Sequence, residues 1–162
     1  MVDEWALDGC RPFVYINPYI ADLSSVDAIR QHQYAIGEEN GYFVKNADGE
    51  TYVINSLSIK FAIIDLTNPE AWNWTKKLIK ENLVEEGRAG GWMHDFGEYL
   101  PFDAVLFDGS DPVKYHNKYP ADWAAVVKEA LSEVPGGEEI VYFMRAGTGK
   151  SPKDTRLYWM GD

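Results

Sequence analysis

The chain has 162 residues, of which 46% are hydrophobic and 14% are aromatic. This length is typical of one domain with a sizeable core, and the apolar content excludes a disordered chain. The formal net charge of −11 argues against a nucleic-acid partner and against an anionic membrane surface. The single cysteine, Cys10, excludes an intramolecular disulfide framework, and no apolar run is long enough to cross a bilayer as a helix.

Strand and helix signals alternate along the chain. Apolar runs rich in β-branched and aromatic residues predict strands at 11–19, 56–64, 89–95, 140–144 and 156–160. Capping residues and apolar spacing predict helices from 22 to about 37, from Pro69 to a stop at Gly87, and from 120 to 134. The Asn-Ala-Asp-Gly sequence at 46–49 predicts a hairpin turn within a β insertion that spans 41–64. This alternation is typical of an α/β protein with a parallel sheet.

Two aspartates each follow a short apolar strand. Asp95 ends the run that begins at Gly91, and Asp162 ends the run that begins at Leu157. Carboxylates at the C-terminal ends of parallel strands lie where α/β proteins build active sites, although a turn cap is the alternative for Asp95. In a retaining glycosidase two carboxylates lie about 5 Å apart; one attacks and the other protonates the leaving group. The two aspartates therefore predict a glycosidase.

Aromatic and cationic side chains near the same strand ends fit a carbohydrate site. Trp92 and Trp159 each stand three residues before one of the aspartates, and flat rings stack against the C–H faces of sugars. Arg145 follows the strand at 140–144 and is a natural donor to sugar hydroxyls. The alternatives are that the rings belong to the core and that Arg145 forms a structural ion pair.

Metal and nucleotide sites are not predicted. The three histidines, His32, His94 and His116, lie far apart in the sequence and lack the spacing of metal ligands. Residues 147–151 resemble the end of a phosphate-binding loop, but Met144 stands where that loop requires a glycine. We therefore expect no metal and no cofactor.

Five sequence blocks together resemble glycoside hydrolase family 31, and the most similar part of that family is the sulfoquinovosidase branch. The blocks are residues 15–19, 91–101, 116–120, 143–147 and 159–162. The Trp-Met-His-Asp-Phe-Gly-Glu-Tyr-Leu-Pro block at 92–101 is specific, whereas many α-glucosidases of the family carry Asp-Met-Asn-Glu there. Related α-xylosidases share its Asp-Phe-Gly-Glu part. The resemblance implies a retaining α-glycosidase built on a (β/α)8 barrel.

The resemblance also implies roles for individual residues. Asp95 matches the family's nucleophile, and Asp162 matches its acid/base. Arg145 matches the arginine that binds substrate hydroxyls near the reacting ring, and Glu98 matches the acid that orders the surroundings of the nucleophile. We expect the substrate-binding set to consist of these two residues and three others: Trp92, Trp159 and His94.

The resemblance places the whole chain, residues 1–162, within one catalytic barrel domain of a longer protein. On this basis the chain holds about the third to sixth barrel strands, with 41–64 as a β insertion after the first strand of the piece. We expect the 162-residue piece alone to be inactive. The family resemblance also implies a cytoplasmic location, and it leaves the oligomeric state open.

The expected substrate is a small α-glycoside of sulfoquinovose, such as its glyceryl form. The residues that bind the sulfonate in this branch lie outside the chain, so the sequence leaves other substrates open. The alternatives are an α-glucosidase or α-xylosidase of the same family, or a sugar-binding remnant without catalytic activity.

Overall fold

Two three-stranded sheets form the framework of the fold. The computed structural model describes residues 2–26, 31–56, 59–155 and 157–161. The first sheet is parallel and contains β1 (Phe13–Ile16), β5 (Gly91–His94) and β6 (Val141–Met144), in the order β1-β5-β6. The second sheet is antiparallel and contains β2 (Tyr19–Ala21), β3 (Val53–Ser56) and β4 (Ile59–Ile63), in the order β2-β4-β3. The chain is therefore an α/β protein, as its sequence predicts.

Helices connect the strands along the chain. They are α1 (Val2–Leu7), α2 (Gln33–Glu39), α3 (Pro69–Leu78), α4 (Pro112–His116) and α5 (Tyr119–Ser132). The α3 helix continues as a π-helical segment, Ile79–Glu86, and short 3₁₀ turns lie at Gly137–Glu139 and Ser151–Lys153. Across the described ranges, none of these helices is both long and apolar enough to cross a membrane.

Local chemistry fixes both ends of the long helical segment. The side chain of Asn68 accepts a hydrogen bond from the backbone N–H of Glu70 at 2.9 Å, and Pro69 occupies the first turn. At the other end Gly87 is the C-cap, where a Cβ would lie 2.8 Å from the carbonyl oxygens of Asn82 and Leu83. The sequence predicts a cap at Thr67 or Asn68, and in the structure the cap is Asn68. The predicted proline in the first turn and the glycine stop are confirmed.

The two faces of the parallel sheet differ in their surroundings. On one face Trp92, Met144 and other side chains are buried beneath α5. On the other face Phe13, Tyr15 and Val141 are exposed, with 56%, 50% and 51% of their surfaces accessible. Among the described residues, those packed on this sheet therefore cover one of its faces and leave the other exposed.

Gly91 lets aromatic side chains meet on the exposed face. The rings of Phe13 and Phe143 stack with centroids 5.9 Å apart across the central strand. A Cβ at Gly91 would collide with the Phe13 ring and with the carbonyl oxygen of Val141. Glycine is required here because of this close approach, not because of its backbone angles.

The sheet continues beyond β6. A parallel bridge joins Met144 to Tyr158, and the N–H of Trp159 donates to the carbonyl of Met144 at 2.8 Å. The predicted strand at 156–160 therefore pairs with β6 at Tyr158, although Arg156 lies outside the described residues.

The β excursion is arranged differently from the predicted hairpin. The turn at 46–50 forms, with the N–H of Asn46 donating to the carbonyl of Glu50 at 2.9 Å, but only the bridge between Lys45 and Thr51 flanks it. The continuous antiparallel pairing instead joins β3 to β4, with β2 on the other side of β4. Residues 57 and 58, which link β3 to β4, lie outside the described part.

The predicted helix from 22 to 37 is wrong at its start. The side chain of Asp22 accepts from the N–H of Ser24 at 3.1 Å and so forms a local turn. Such turns compete with helix initiation, and in the structure α2 begins only at Gln33. Residues 27–30 lie outside the described ranges.

Candidate active site

Three strand ends bring the candidate site together. Asp95 directly follows β5, Arg145 directly follows β6, and Tyr15 lies one residue before the end of β1. The parallel register aligns Ile16, His94 and Met144. This alignment brings the side chains of Tyr15, Asp95 and Arg145 close together. The hydroxyl of Tyr15 donates to Oδ2 of Asp95 at 2.6 Å, and Nε of Arg145 lies 3.2 Å from Oδ1.

The backbone around Asp95 is fixed on both sides. Its N–H donates to the carbonyl of Ile16 at 2.9 Å, and its own carbonyl accepts from the indole N–H of Trp123 at 3.1 Å. The chain then turns sharply through Phe96 and Gly97, which have φ of 59° and 114°. Positive φ strains a non-glycine residue such as Phe96, and such strain persists only where the surroundings enforce it.

Arg145 joins two carboxylates. Its Nε and Nη2 donate to Oε1 of Glu98 at 3.1 and 2.7 Å, and its guanidinium lies 4.2 Å from the centre of the Phe96 ring. Burial by itself lowers the pKa of Arg145, but the hydrogen bond to Glu98 and the charges of Glu98 and Asp95 outweigh it and raise that pKa. The cation therefore holds Glu98 while it neutralises part of the charge of Asp95.

Asp95 is buried, with only 4% of its surface exposed. Among the described residues no group donates a hydrogen bond to its Oδ1, because both donating nitrogens of Arg145 are directed at Glu98. Oδ2 is held by Tyr15, and burial together with this hydrogen bond raises the pKa of the tyrosine hydroxyl. The phenol therefore stays protonated near neutral pH and acts as a donor.

A cleft of about 570 Å³ opens beside this cluster. Glu98, Arg145 and Trp159 line it, and Trp159 is 36% exposed. His116 also borders the cleft, and its Nδ1 is hydrogen-bonded to the carbonyl of Leu100 at 2.7 Å. Three of the predicted site residues, Glu98, Arg145 and Trp159, thus share one cleft. Asp162 lies outside the described residues.

Trp92 and His94 lie elsewhere. Both are fully buried on the helix-covered face of the sheet, where His94 stacks on Trp123 with ring centroids 3.9 Å apart. Burial lowers the pKa of His94 to about 3, so its ring is neutral. The expectation that Trp92 and His94 contact a substrate disagrees with this placement, because neither side chain reaches the cleft.

The sequence interpretation did not assign Tyr15 and Trp123 to the site. Tyr15 lies within the strand predicted at 11–19 and Trp123 within the helix predicted from 120 to 134, and neither prediction gives them a contact with Asp95. In the structure one bonds the carboxylate of Asp95 and the other bonds its carbonyl. A signal for Tyr15 is its place near the C-terminal end of a predicted strand, since parallel strand ends converge. No sequence signal identifies the partner of the Trp123 indole N–H, because that contact spans 28 residues.

Comparison with known proteins adds independent findings. All residues from 1 to 162 match the family model described as the glycosyl hydrolases family 31 TIM-barrel domain. The chain is 41% identical over 162 residues to a sulfoquinovosidase of Escherichia coli K12, covering 99% of this chain and 23% of that protein. It is 30% identical over 155 residues to an alpha-xylosidase of Emericella nidulans, covering 95% and 19%.

A solved structure is similar over the same range. It is a GH31 family sulfoquinovosidase from E. rectale in complex with the aza-sugar inhibitor IFGSQ. The TM-score is 0.88 at 40% identity, with 99% of this chain and 23% of that chain covered. The chain thus spans about a quarter of the length of the proteins that it matches.

Proposed function

Because the chain belongs to glycoside hydrolase family 31, we propose that the whole protein is a retaining α-glycosidase with Asp95 as its nucleophile. The observation that carries this proposal is the buried carboxylate of Asp95, held at a strand end between Tyr15 and Arg145. A cation and a hydrogen-bond donor both favour the ionised form of a carboxylate. An ionised, oriented carboxylate is what attack on an anomeric carbon requires.

The proposed reaction has two steps. Asp95 forms a bond to the anomeric carbon while the bond from that carbon to the leaving oxygen breaks, and Asp162 gives that oxygen a proton. Water then attacks the same carbon, Asp162 takes a proton from the water, and Asp95 leaves as a carboxylate. Two inversions retain the configuration, and no redox change occurs.

The cleft supplies groups that suit a sugar ring. Arg145 presents nitrogen donors, and Oε2 of Glu98 accepts no hydrogen bond from the described residues. Trp159 offers a partly exposed ring against which a sugar face can stack. We propose that these three residues bind the substrate beside Asp95.

An α-sulfoquinovoside, such as sulfoquinovosyl glycerol, is the proposed substrate. Similarity to proteins that are named sulfoquinovosidases, at 41% and 40% identity, supports this choice. The second candidate is an α-xyloside, which the 30% identity to an alpha-xylosidase favours. An α-glucoside is the third member of the set to be compared.

The parallel strands are proposed to be consecutive strands of the barrel. Their order along the sheet, β1-β5-β6 followed by the pairing at Tyr158, supports this arrangement. The exposed face that carries Phe13 and Val141 would then point into the barrel. We propose that the 162-residue chain alone is inactive, since it covers about a quarter of the length of its relatives. Membership of the family is the basis for a separate proposal, that the whole protein acts in the cytoplasm.

The test compares the whole protein with its Asp95→Asn variant on three aryl α-glycosides, of sulfoquinovose, xylose and glucose. We expect fast release of the phenol from the sulfoquinovoside alone, and its loss in the variant. Asp103→Asn is the matched control, since Asp103 also accepts from a tyrosine hydroxyl, that of Tyr52 at 2.9 Å, on the exposed surface.

Near-wild-type turnover by Asp95→Asn contradicts the proposed nucleophile. If the protein prefers the xyloside, the proposed mechanism still holds, but the substrate is an α-xyloside and not an α-sulfoquinovoside. Absence of hydrolysis combined with calorimetric binding of sulfoquinovose points instead to a sugar-binding protein without catalytic activity.

A further inference from the structure

The carboxylate of Asp95 is held by a side chain from the neighbouring strand. Tyr15 lies on β1, and its hydroxyl donates to Oδ2 of Asp95 at 2.6 Å, a distance typical of a phenol bonded to a carboxylate. The contact joins residues that are 80 positions apart. It therefore depends on the pairing of β1 with β5, and no loop is needed to make it.

Asn17 orients the hydroxyl of Tyr15. Its Oδ1 accepts from the backbone N–H of Tyr19 at 3.0 Å, which fixes the side-chain amide. Its Nδ2 then donates to the hydroxyl oxygen of Tyr15 in a longer contact of 3.4 Å. Because this oxygen accepts a hydrogen bond from Asn17, its own O–H group is directed toward Asp95.

The two oxygens of Asp95 thus have different surroundings. Oδ2 is bonded to Tyr15, whereas Oδ1 lies 3.2 Å from Nε of Arg145 and accepts no hydrogen bond from the described part of the chain. A lone pair that is free of hydrogen bonds is the more nucleophilic one. Rotation that would exchange the two oxygens breaks the bond to Tyr15.

We propose that Tyr15 is a positioning residue for the glycosidase reaction: it holds Oδ2 of Asp95, so that Oδ1 attacks the anomeric carbon. This inference rests on the proposed function of Asp95. In the first step the Oδ1–carbon bond forms, and the electron pair of the breaking bond goes to the leaving oxygen. In the second step water bonds to the same carbon and gives a proton to Asp162, while the Oδ1–carbon bond breaks and its electron pair returns to Asp95. Tyr15 stabilises the restored carboxylate without giving up its own proton.

Tyr15→Phe in the whole protein removes the hydroxyl and keeps the ring. We expect kcat to fall about 10- to 100-fold, as for the loss of a hydrogen bond to a charged group. Because departure of Asp95 is slowed most, KM falls with kcat and a burst of aryl aglycone precedes the steady state.

The matched control is Tyr115→Phe. The hydroxyl of Tyr115 donates to Oδ2 of Asp122 at 2.7 Å, so the same kind of bond is removed away from the cleft. We expect this variant to lose thermal stability without any change in kcat or KM and without a burst. A second variant, Asn17→Ala, should lower kcat only a few-fold, because it removes only the longer contact to the hydroxyl of Tyr15.

Wild-type kcat without a burst in Tyr15→Phe overturns the inference, as does an equal loss of kcat in Tyr115→Phe. A crystal structure of the intermediate trapped with a fluorinated glycosyl fluoride should show the anomeric carbon on Oδ1 and Tyr15 on Oδ2. A covalent bond to Oδ2 contradicts the proposal. An active Asp95→Asn variant contradicts the proposed function itself. Failure of the positioning role of Tyr15 is therefore distinguishable from failure of the nucleophile role of Asp95.

Discussion

His94 and Trp123 are joined twice. Their rings stack with centroids 3.9 Å apart, and Nε2 of His94 donates to the backbone carbonyl of Trp123 at 2.9 Å. Trp123 in turn donates its indole N–H to the carbonyl of Asp95 at 3.1 Å. A buried, neutral histidine therefore supports the backbone of the proposed nucleophile from the opposite face of the sheet.

This contact predicts that stability decreases at mildly acidic pH. The pKa of His94 is about 3 in the folded chain and 6.5 without burial, so below pH 6.5 the unfolded state binds one more proton. Stability is complete above pH 6.5, and we expect it to fall by about 1.4 kcal/mol per pH unit as the pH decreases from 6.5 to 5. Urea unfolding of the whole protein at several pH values measures this slope.

His94→Gln keeps a donor for Trp123 but does not titrate, and it should remove that slope. His116→Gln is the control that leaves His94 in place and should retain it. If the free energy of unfolding falls equally with pH in the wild type and in His94→Gln, another group causes the slope and the prediction is wrong.

We predict that stability requires the carboxylate of Asp65 as a hydrogen-bond acceptor. It is buried, and its Oδ1 accepts from the N–H and hydroxyl of Thr67 at 2.9 and 2.6 Å, while Oδ2 accepts from the N–H of Phe107 at 2.8 Å. Asp65→Asn turns one acceptor into a donor and leaves an N–H unpaired, at a cost of about 1–3 kcal/mol. Urea unfolding measures this cost.

The control is Asp48→Asn at an exposed turn, which should change stability little. Burial raises the pKa of Asp65, so its charged form is already unfavourable. If Asp65→Asn stabilises the protein, the charge outweighs the hydrogen bonds and the prediction is wrong.

Gly91→Ala tests the close packing across β5. The new methyl group would collide with the Phe13 ring and with the carbonyl of Val141, so strands must separate. We expect a loss of about 1–3 kcal/mol, which is typical of overpacking, and a lower melting temperature. Gly149→Ala has no atom within 4 Å of the new Cβ and should be neutral. Equal melting temperatures for the two variants contradict this account.

Arg145→Lys tests whether the planar guanidinium is required. A lysine has one ammonium group, which does not make two bonds to Glu98, approach Asp95 and lie flat on Phe96 at once. We expect kcat of the whole protein to fall at least about tenfold, because the charge near Asp95 is no longer held in place.

Arg11→Lys, on the exposed surface, is the control and should keep wild-type kinetics. Full activity in Arg145→Lys indicates that a positive charge alone is enough at this position.

Features that depend on residues close together in the sequence are predicted better than features that depend on the pairing of distant strands. The cap at Asn68 and the stop at Gly87 use contacts within a few residues, and both are confirmed. The bond from Tyr15 to Asp95 requires the alignment of β1 with β5, which no local pattern contains. The burial of His94 follows from strand alternation, because adjacent residues of a strand point to opposite faces.

The arrangement around Arg145 also has a consequence for charge selection. One guanidinium serves two carboxylates, those of Asp95 and Glu98, so the cluster has one negative charge more than positive. Such a surplus attracts a sugar ring that becomes cationic during bond breaking, and it repels an anionic substituent on the same ring. If the substrate carries a sulfonate, positive groups outside this cluster therefore have to neutralise the sulfonate charge. Added salt should screen the attraction between the sulfonate and the positive groups that neutralise it, so KM should rise with ionic strength. The buried charges around Asp95 are screened less, so kcat should stay constant.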